Sequence, residues 1–390
     1  MQDIVIIGGG VMGASCAFWF TRMAPGLGVT VIEQDPSHAR SCTALSVASI
    51  RQQFTAPVNV RLSRFGIGFL RDFGTATGLE GGAANLGLRE NGYLFLAGTA
   101  AAAAVMAEVA AMQRAEGAGT VILDAPAVAA RWPWMASDDI VAGSFGPRDE
   151  GWFDNMGLLG GLRTAARRQG ARFVEGRAAG FDMAGGRVSA VRLASGTALP
   201  CGAAVNAAGT AAGTVAGWAG LALPVEPRKR TVFVIDAPNA RHPDAPLIID
   251  HTGVYLRPEG GHWICATVPA EDCPCDPEDW TPDLEAFEDR IWPALYARAP
   301  GFDAVKVIRH WVGHYDYNAL DQNAFLGPHP DVPNLFHLCG FSGHGLQHAA
   351  GAGRGVAEYI LTGGWQSLDL SDLSVTRLVE GRAFRERAVV

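Results

Sequence analysis

The arrangement of apolar and polar positions is most regular at the start of the chain. Ile4-Val-Ile-Ile is apolar without a break, the pattern of a strand buried on both faces. Gly8-Gly-Gly-Val-Met-Gly13 then interrupts it. An apolar stretch reads as a helix, and Val29-Thr-Val-Ile-Glu33 reads as a second buried strand. Further on, Val60, Leu62, Phe65, Phe69, Leu70 and Phe73 stand at helical spacing, predicting a helix over 58–73. Residues 92–98 read as a short strand, and Thr99 caps an alanine-rich helix that runs to about Glu116. Asp124 caps a short helix ending at Arg131-Trp-Pro-Trp.

From 151 onward the pattern predicts a helix over 155–168, a strand at 171–175, a hairpin over 181–193 around Gly185-Gly186, and a strand at 203–209 running into a glycine turn. Residues 229–320 are β-rich, with segments at 231–235, 253–257, 262–267 and 305–312 around one helix near 284–298. A strand at 335–339, a turn at 340–345 and a helix through 356–361 close the chain. Nucleotide-like segments are thus twice interrupted by β-rich ones. The reading is α/β with two domains: a Rossmann-like domain (1–85, 145–225 and 321–390) interleaves with a β-sheet-rich one (86–144 and 226–320).

The opening glycines carry chemistry. Gly8 permits the tight turn, Gly10 lets the backbone approach a pyrophosphate, and Gly13 lets the helix lie against the strand. Glu33, at the end of the second strand, is placed to accept hydrogen bonds from an adenosine ribose, which favours FAD or NAD over NADP. The segment at 335–361 resembles a second helix N-terminus facing the cofactor.

Composition narrows the function classes. With 31 basic against 39 acidic residues the net charge is −8, and no basic run or basic amphipathic helix suggests a nucleic-acid partner. No apolar stretch is long enough to span a bilayer, and no cationic leader precedes Ile4, so the expectation is a cytoplasmic protein without a transmembrane segment. Seven scattered cysteines, with only Cys273-Pro-Cys275 close together, argue against a disulfide framework. The ten histidines show no metal-ligand spacing, so no metal is expected. The only lysines are Lys229 and Lys306.

Several longer stretches resemble, in one order, the D-amino-acid oxidase/sarcosine oxidase superfamily of FAD-dependent oxidoreductases. They are Ser46-Val-Ala-Ser-Ile-Arg51-Gln-Gln-Phe54, Tyr315-Asp-Tyr-Asn318, Asp321-Gln-Asn323, Gly327-Pro-His-Pro330 and Gly340-Phe-Ser-Gly-His-Gly-Leu-Gln347. Within it the chain looks most like the FAD-dependent oxidoreductase domain-containing proteins associated in animals with mitochondrial complex I assembly. The resemblance covers nearly the whole length. It implies an FAD domain of the p-hydroxybenzoate-hydroxylase-like type under a β-sheet substrate domain. It also implies oxidation of an amine C–N bond by hydride transfer to flavin N5.

Carried over position by position, the resemblance implies that Gly8, Gly10, Gly13 and Glu33, with Val11, Met12 and Gln34 beside them, hold the ADP half. Ser41, Cys42, Thr43 and Ser46 would meet the diphosphate and flavin, and Ala178 the adenine. Ala208 and Gly209 would approach the diphosphate, and Gly343, His344, Gly345, Leu346 and Gln347 would lie under the flavin pyrimidine. Four departures bear on chemistry. The cysteine that holds the flavin covalently in sarcosine oxidases is absent from the strand carrying His314, and a related subgroup's attachment histidine is likewise missing, which implies non-covalent FAD. The oxygen-activating lysine is also absent, its place falling near Cys265, and the substrate lysine is replaced by Gln347.

Hydride transfer needs a fixed α-carbon near flavin N5 and a cation for the substrate carboxylate. Arg51 is the first candidate clamp and Arg257 the second, because a guanidinium pairs with both carboxylate oxygens. Tyr255 borders the substrate in this reading. His314, Tyr315 and Tyr317 lie on the strand facing the flavin, but strand alternation puts the two tyrosines on one face and His314 on the other, so only one set is expected in the pocket. The substrate expected is an amine or amino acid, most simply a secondary N-alkyl amino acid, with oxygen, a quinone or an electron-acceptor protein taking the electrons. The alternatives are an FAD-holding assembly factor with little turnover and an NAD-dependent dehydrogenase.

Overall fold

The computed structural model describes residues 3–388, and two sheets organise them. The first has six strands in the order Phe325–His329, Val332–Cys339, Ala203–Asn206, Ile4–Ile7, Val29–Glu33 and Arg172–Glu175. All neighbours are parallel except the Phe325–His329 edge. Ile4–Ile7 is buried along its whole length, as an uninterrupted apolar run in a central parallel strand requires. The chain leaves Ile4–Ile7 for Val29–Glu33 on one side and meets Ala203–Asn206 on the other. Their C-terminal ends, Gly8 and Ala207, therefore open a crevice where the strand order reverses.

Helices Val11–Met23 and Gly345–Thr362 both pack on this sheet and against each other. The two helices meet closely because Gly353 faces the backbone of Cys16, where a larger residue would collide. Ser15 and Trp19 of the first helix donate to Ala349 O (2.7 Å) and Ala350 O (2.9 Å) of the last.

The second sheet has eight strands in the order Lys306–Asn318, Val225–Asp236, His262–Ala266, Tyr255–Glu259, Leu247–Ile249, Tyr93–Ala97, Ala142–Gly146 and Val121–Asp124. Its longest pairing is antiparallel, in register from Val225↔Asn318 to Asp236↔Lys306. That ladder carries both strands well past the apolar cores expected at 231–235 and 305–312. Backbone hydrogen bonding continues through Arg228-Lys229-Arg230 and through His314–Asn318 regardless of side-chain polarity. The strands at Leu247–Ile249 and Phe325–His329 were not foreseen. The helix expected over 284–298 is α-helical at Glu285–Ala286, passes through a π-helical stretch at Phe287–Ile291 and is α-helical again over Trp292–Arg298. Pro293, without an N–H, accompanies the change. Among the described residues no helix is long and apolar enough to cross a membrane.

Candidate functional site

A cavity of about 950 Å³ runs from the crevice at Gly8 and Ala207 to the face of the second sheet. At the crevice the backbone is shaped by contacts that leave no room for side chains. Gly8 has φ +100°, and a Cβ there would enter the Ala207 carbonyl. A Cβ at Gly13 would enter the Gly8 carbonyl, so Gly13 does not border the cavity but sets the helix against the strand. At Gly10, by contrast, a side chain would meet only Thr43 Oγ1, at 3.3 Å, which leaves the backbone accessible there. Thr43 Oγ1 itself accepts the Val11 N–H at 3.0 Å and ties the 41–47 loop to the helix start.

Glu33 borders the cavity with a rigid carboxylate: one oxygen accepts Gly9 N–H and the other Asp35 N–H, both at 2.8 Å. The other residues expected at the cofactor also border it: Val11, Met12, Gln34, Ser41, Cys42, Ser46, Ala178, Ala208, Gly209 and Gly343 to Gln347. Cys42 is open to the cavity yet enclosed by protein, and burial pushes its thiol up to about 12. A helix start, close backbone approaches and a fixed acid along one elongated cavity fit an extended dinucleotide such as FAD.

The turn at 340–344 is held by Asp316. Its Oδ2 accepts the Gly340 N–H at 2.8 Å and the Phe341 N–H at 3.1 Å, while burial pushes the carboxyl up to about 6. His344 borders the cavity with both ring nitrogens buried and unpaired, and burial, with Arg51 nearby, lowers its pKa to about 3, leaving a neutral imidazole. Gln347 borders the cavity too, but its amide oxygen is committed to the Arg51 N–H (2.9 Å) and Ser63 Oγ (3.1 Å).

The expected substrate residues divide. Tyr255, His314 and Tyr315 border the cavity, whereas Arg51, Arg257 and Tyr317 do not. Arg51 is buried away from it, with its guanidinium 4.2 Å from the Phe54 ring and donating to the carbonyls of Gln53 and Ala388. Arg257 donates to Val47 O at 3.1 Å and pairs with Glu259, so it props the cavity wall from behind. Tyr317 lies under Arg228 and takes its hydroxyl bond from Gln322 at 2.5 Å. His314 and Tyr315 both reach the cavity although alternation puts them on opposite faces. Their strand is the edge of its sheet, and the cavity touches both sides of it. The His314 ring stacks on Trp280 at 4.1 Å, and its Nε2 lies 2.8 Å from the Asp279 carbonyl.

Arg230 is the residue the sequence reading missed. It is 2% exposed, borders the cavity, and holds its guanidinium 4.9 Å from the Tyr315 ring centre. Burial opposes its charge most strongly, but the two-point bond to Asp272 (2.8 and 3.0 Å), the carboxylate's charge and the nearby Tyr315 and Tyr255 oxygens together raise its pKa. Its Nε is buried without a partner. Burial raises the Tyr255 and Tyr315 hydroxyl pKa values, so both stay neutral donors. Ending the strand at Thr231 hid Arg230; extending the alternation back from Thr231 would have exposed it.

Comparisons with known proteins agree with this geometry. The family model described as FAD dependent oxidoreductase matches residues 3–359. The chain is 37% identical to FAD-dependent oxidoreductase domain-containing protein 1 of Xenopus laevis, across 100% of this chain and 85% of that protein. It is 25% identical to the mitochondrial sarcosine dehydrogenase of Mus musculus, across 93% of this chain but only 40% of that protein. Among solved structures, L-proline dehydrogenase from P. horikoshii superposes with a TM-score of 0.87 at 25% identity, covering 98% of this chain and 99% of that one.

Proposed function

The chain belongs to the family of FAD-dependent oxidoreductases, and we propose that within it this protein oxidises the C–N bond of a carboxylate-bearing amine. The product is an imine, which water then hydrolyses. Two of the similar proteins are named for sarcosine and L-proline, both secondary amino acids, and this favours that substrate class here. The crevice at Gly8, Gly10 and Glu33 and the turn at Gly343 to Gln347 would hold FAD, which when bound would supply the hydride acceptor. We take it as held non-covalently: the strand bordering the cavity at 313–316 has no cysteine, and burial keeps the Cys42 thiol protonated.

The observation that carries this reading is Arg230, a buried cation at the substrate end with the hydroxyls of Tyr255 and Tyr315 beside it. A guanidinium there fixes a carboxylate and so fixes the α-carbon. His314 is held by stacking on Trp280 and by donating Nε2–H to the Asp279 carbonyl, so it needs no catalytic part in this reading. An amine bound neutral needs no base for hydride loss.

Arg230→Met tests the assignment in the FAD-loaded protein. Loss of one charge-assisted contact, worth about 2–3 kcal/mol, lowers kcat/KM for amino acids roughly a hundredfold, while methyl esters of the same substrates lose far less. Equal losses for acid and ester would remove Arg230 from the site.

A further inference from the structure

Residues 267–284 contain no strand or helix, and they cross the substrate end of the cavity, which Pro277, Glu278 and Trp280 border. Charged contacts fasten the segment. Asp272 binds Arg230, Asp279 binds Lys229 at 2.6 Å, and Glu278 meets Arg40 at 3.0 Å. Arg228, Lys229 and Arg230 are consecutive in one strand, so the segment grips both faces of that strand.

Asp272 contacts Arg230 in a telling way. Oδ1 meets Nη1 at 2.8 Å and Oδ2 meets Nη2 at 3.0 Å, the two-point geometry a substrate carboxylate would adopt. A second cation is adjacent: Arg228 gives Nε and Nη2 to Glu226 (3.0 and 2.6 Å), while its Nη1 lies 3.4 Å from Asp272 Oδ2 and donates to the Asp272 backbone carbonyl. Asp272 thus has somewhere to go when Arg230 is given up.

We propose that Asp272 is a built-in competitor for the substrate carboxylate. It occupies the fork of Arg230 and passes to Arg228 when a carboxylate-bearing amine arrives, so substrate binding and loosening of the 267–284 segment are one step. This rests on the reading of Arg230 as the clamp and deepens it into a selection rule. Amines without a carboxylate have nothing to exchange for Asp272 and meet a neutralised fork.

The test uses the FAD-loaded protein and a carboxylate that cannot be oxidised, benzoate or acetate, followed by perturbation of the flavin spectrum. Asp272→Asn is expected to tighten carboxylate binding about tenfold, the scale of one close charge coupling. In the unaltered protein, saturating benzoate should speed hydrogen exchange in peptides covering 267–284. In the variant those peptides exchange quickly with or without ligand. Weaker or unchanged carboxylate binding in Asp272→Asn, or exchange in the unaltered protein that ignores benzoate, would overturn the proposal. If carboxylates bind and Arg230→Met abolishes binding while Asp272→Asn changes nothing, only the role of Asp272 falls. If Arg230→Met binds benzoate as well as the unaltered protein does, the clamp itself falls and takes this proposal with it.

Discussion

Replacing Asp316 by asparagine and by alanine separates the charge of a buried carboxylate from its hydrogen bonds. A single oxygen, Oδ2, accepts both turn amides, Gly340 N–H and Phe341 N–H. Asparagine presents the same acceptor and keeps both bonds. Alanine leaves two buried N–H groups unpaired, at about 1–3 kcal/mol each, so Asp316→Ala should lie roughly 2–6 kcal/mol below Asp316→Asn at every pH. The charge acts separately. Burial raises the folded carboxyl from its ordinary 3.8 to about 6, with the two amides partly offsetting it. A raised acid favours the folded state below the unfolded value, and that stability is lost as pH climbs through 6. The loss reaches about 3 kcal/mol at roughly 1.4 kcal/mol per pH unit. Asparagine has no such loss. Urea unfolding of the three proteins from pH 4 to 8, at fixed FAD concentration, should therefore show Asp316→Asn gaining on the unaltered protein as pH rises, with Asp316→Ala below it throughout. A flat difference across pH, or asparagine as damaging as alanine, would refute the reasoning.

Two other substitutions probe the scaffold around the cofactor. Gly13→Ala drives a Cβ into the Gly8 carbonyl and pushes the helix off the strand, so the purified protein should lose most of its flavin absorbance relative to its protein absorbance. Arg377 and Asp321 form a fully buried pair at 2.7 and 3.0 Å, and Arg377→Met strands the carboxylate. The expected loss is about 3–5 kcal/mol in urea unfolding, and adding Asp321→Asn should recover much of it.

The parts of this fold legible in the sequence are those in which neighbouring residues impose the structure. Ile4–Ile7, the glycine turn and Val29–Glu33 declare themselves because a central parallel strand must be apolar throughout and the turn admits only glycine at Gly8. Leu247–Ile249 was opaque for the opposite reason: three residues carry no period, and their pairing with Tyr93–Ala97 spans a long separation in sequence. The site divided the same way. The residues along the cofactor cavity follow the turn and the two helix starts, and all except the packing residue Gly13 border the cavity. The substrate end depends on where side chains point after distant strands pair. Arg51 looked like the clamp because its loop adjoins the cofactor, yet its side chain turns under Phe54, Tyr93 and Phe95. Arg230 was hidden because the apolar pattern of its strand starts only at Thr231. The pairing with Lys306–Asn318 is what sets it beside Tyr315. Likewise Asp321 and Asn323 form part of a buried polar network around Arg377 and the backbone of Phe384, so that motif holds the structure together rather than meeting substrate.

The central claim is that this protein takes electrons from a carboxylate-bearing amine, and an anaerobic absorbance titration of the FAD-loaded protein tests it most directly. N-methylglycine, proline, other N-alkyl amino acids and unsubstituted amino acids would be added in turn, each beside its methyl ester. The account predicts that at least one free acid bleaches the flavin spectrum while its ester does so only at much higher concentration. A protein that stays yellow with every amine, or that is bleached equally well by acid and ester, would contradict it.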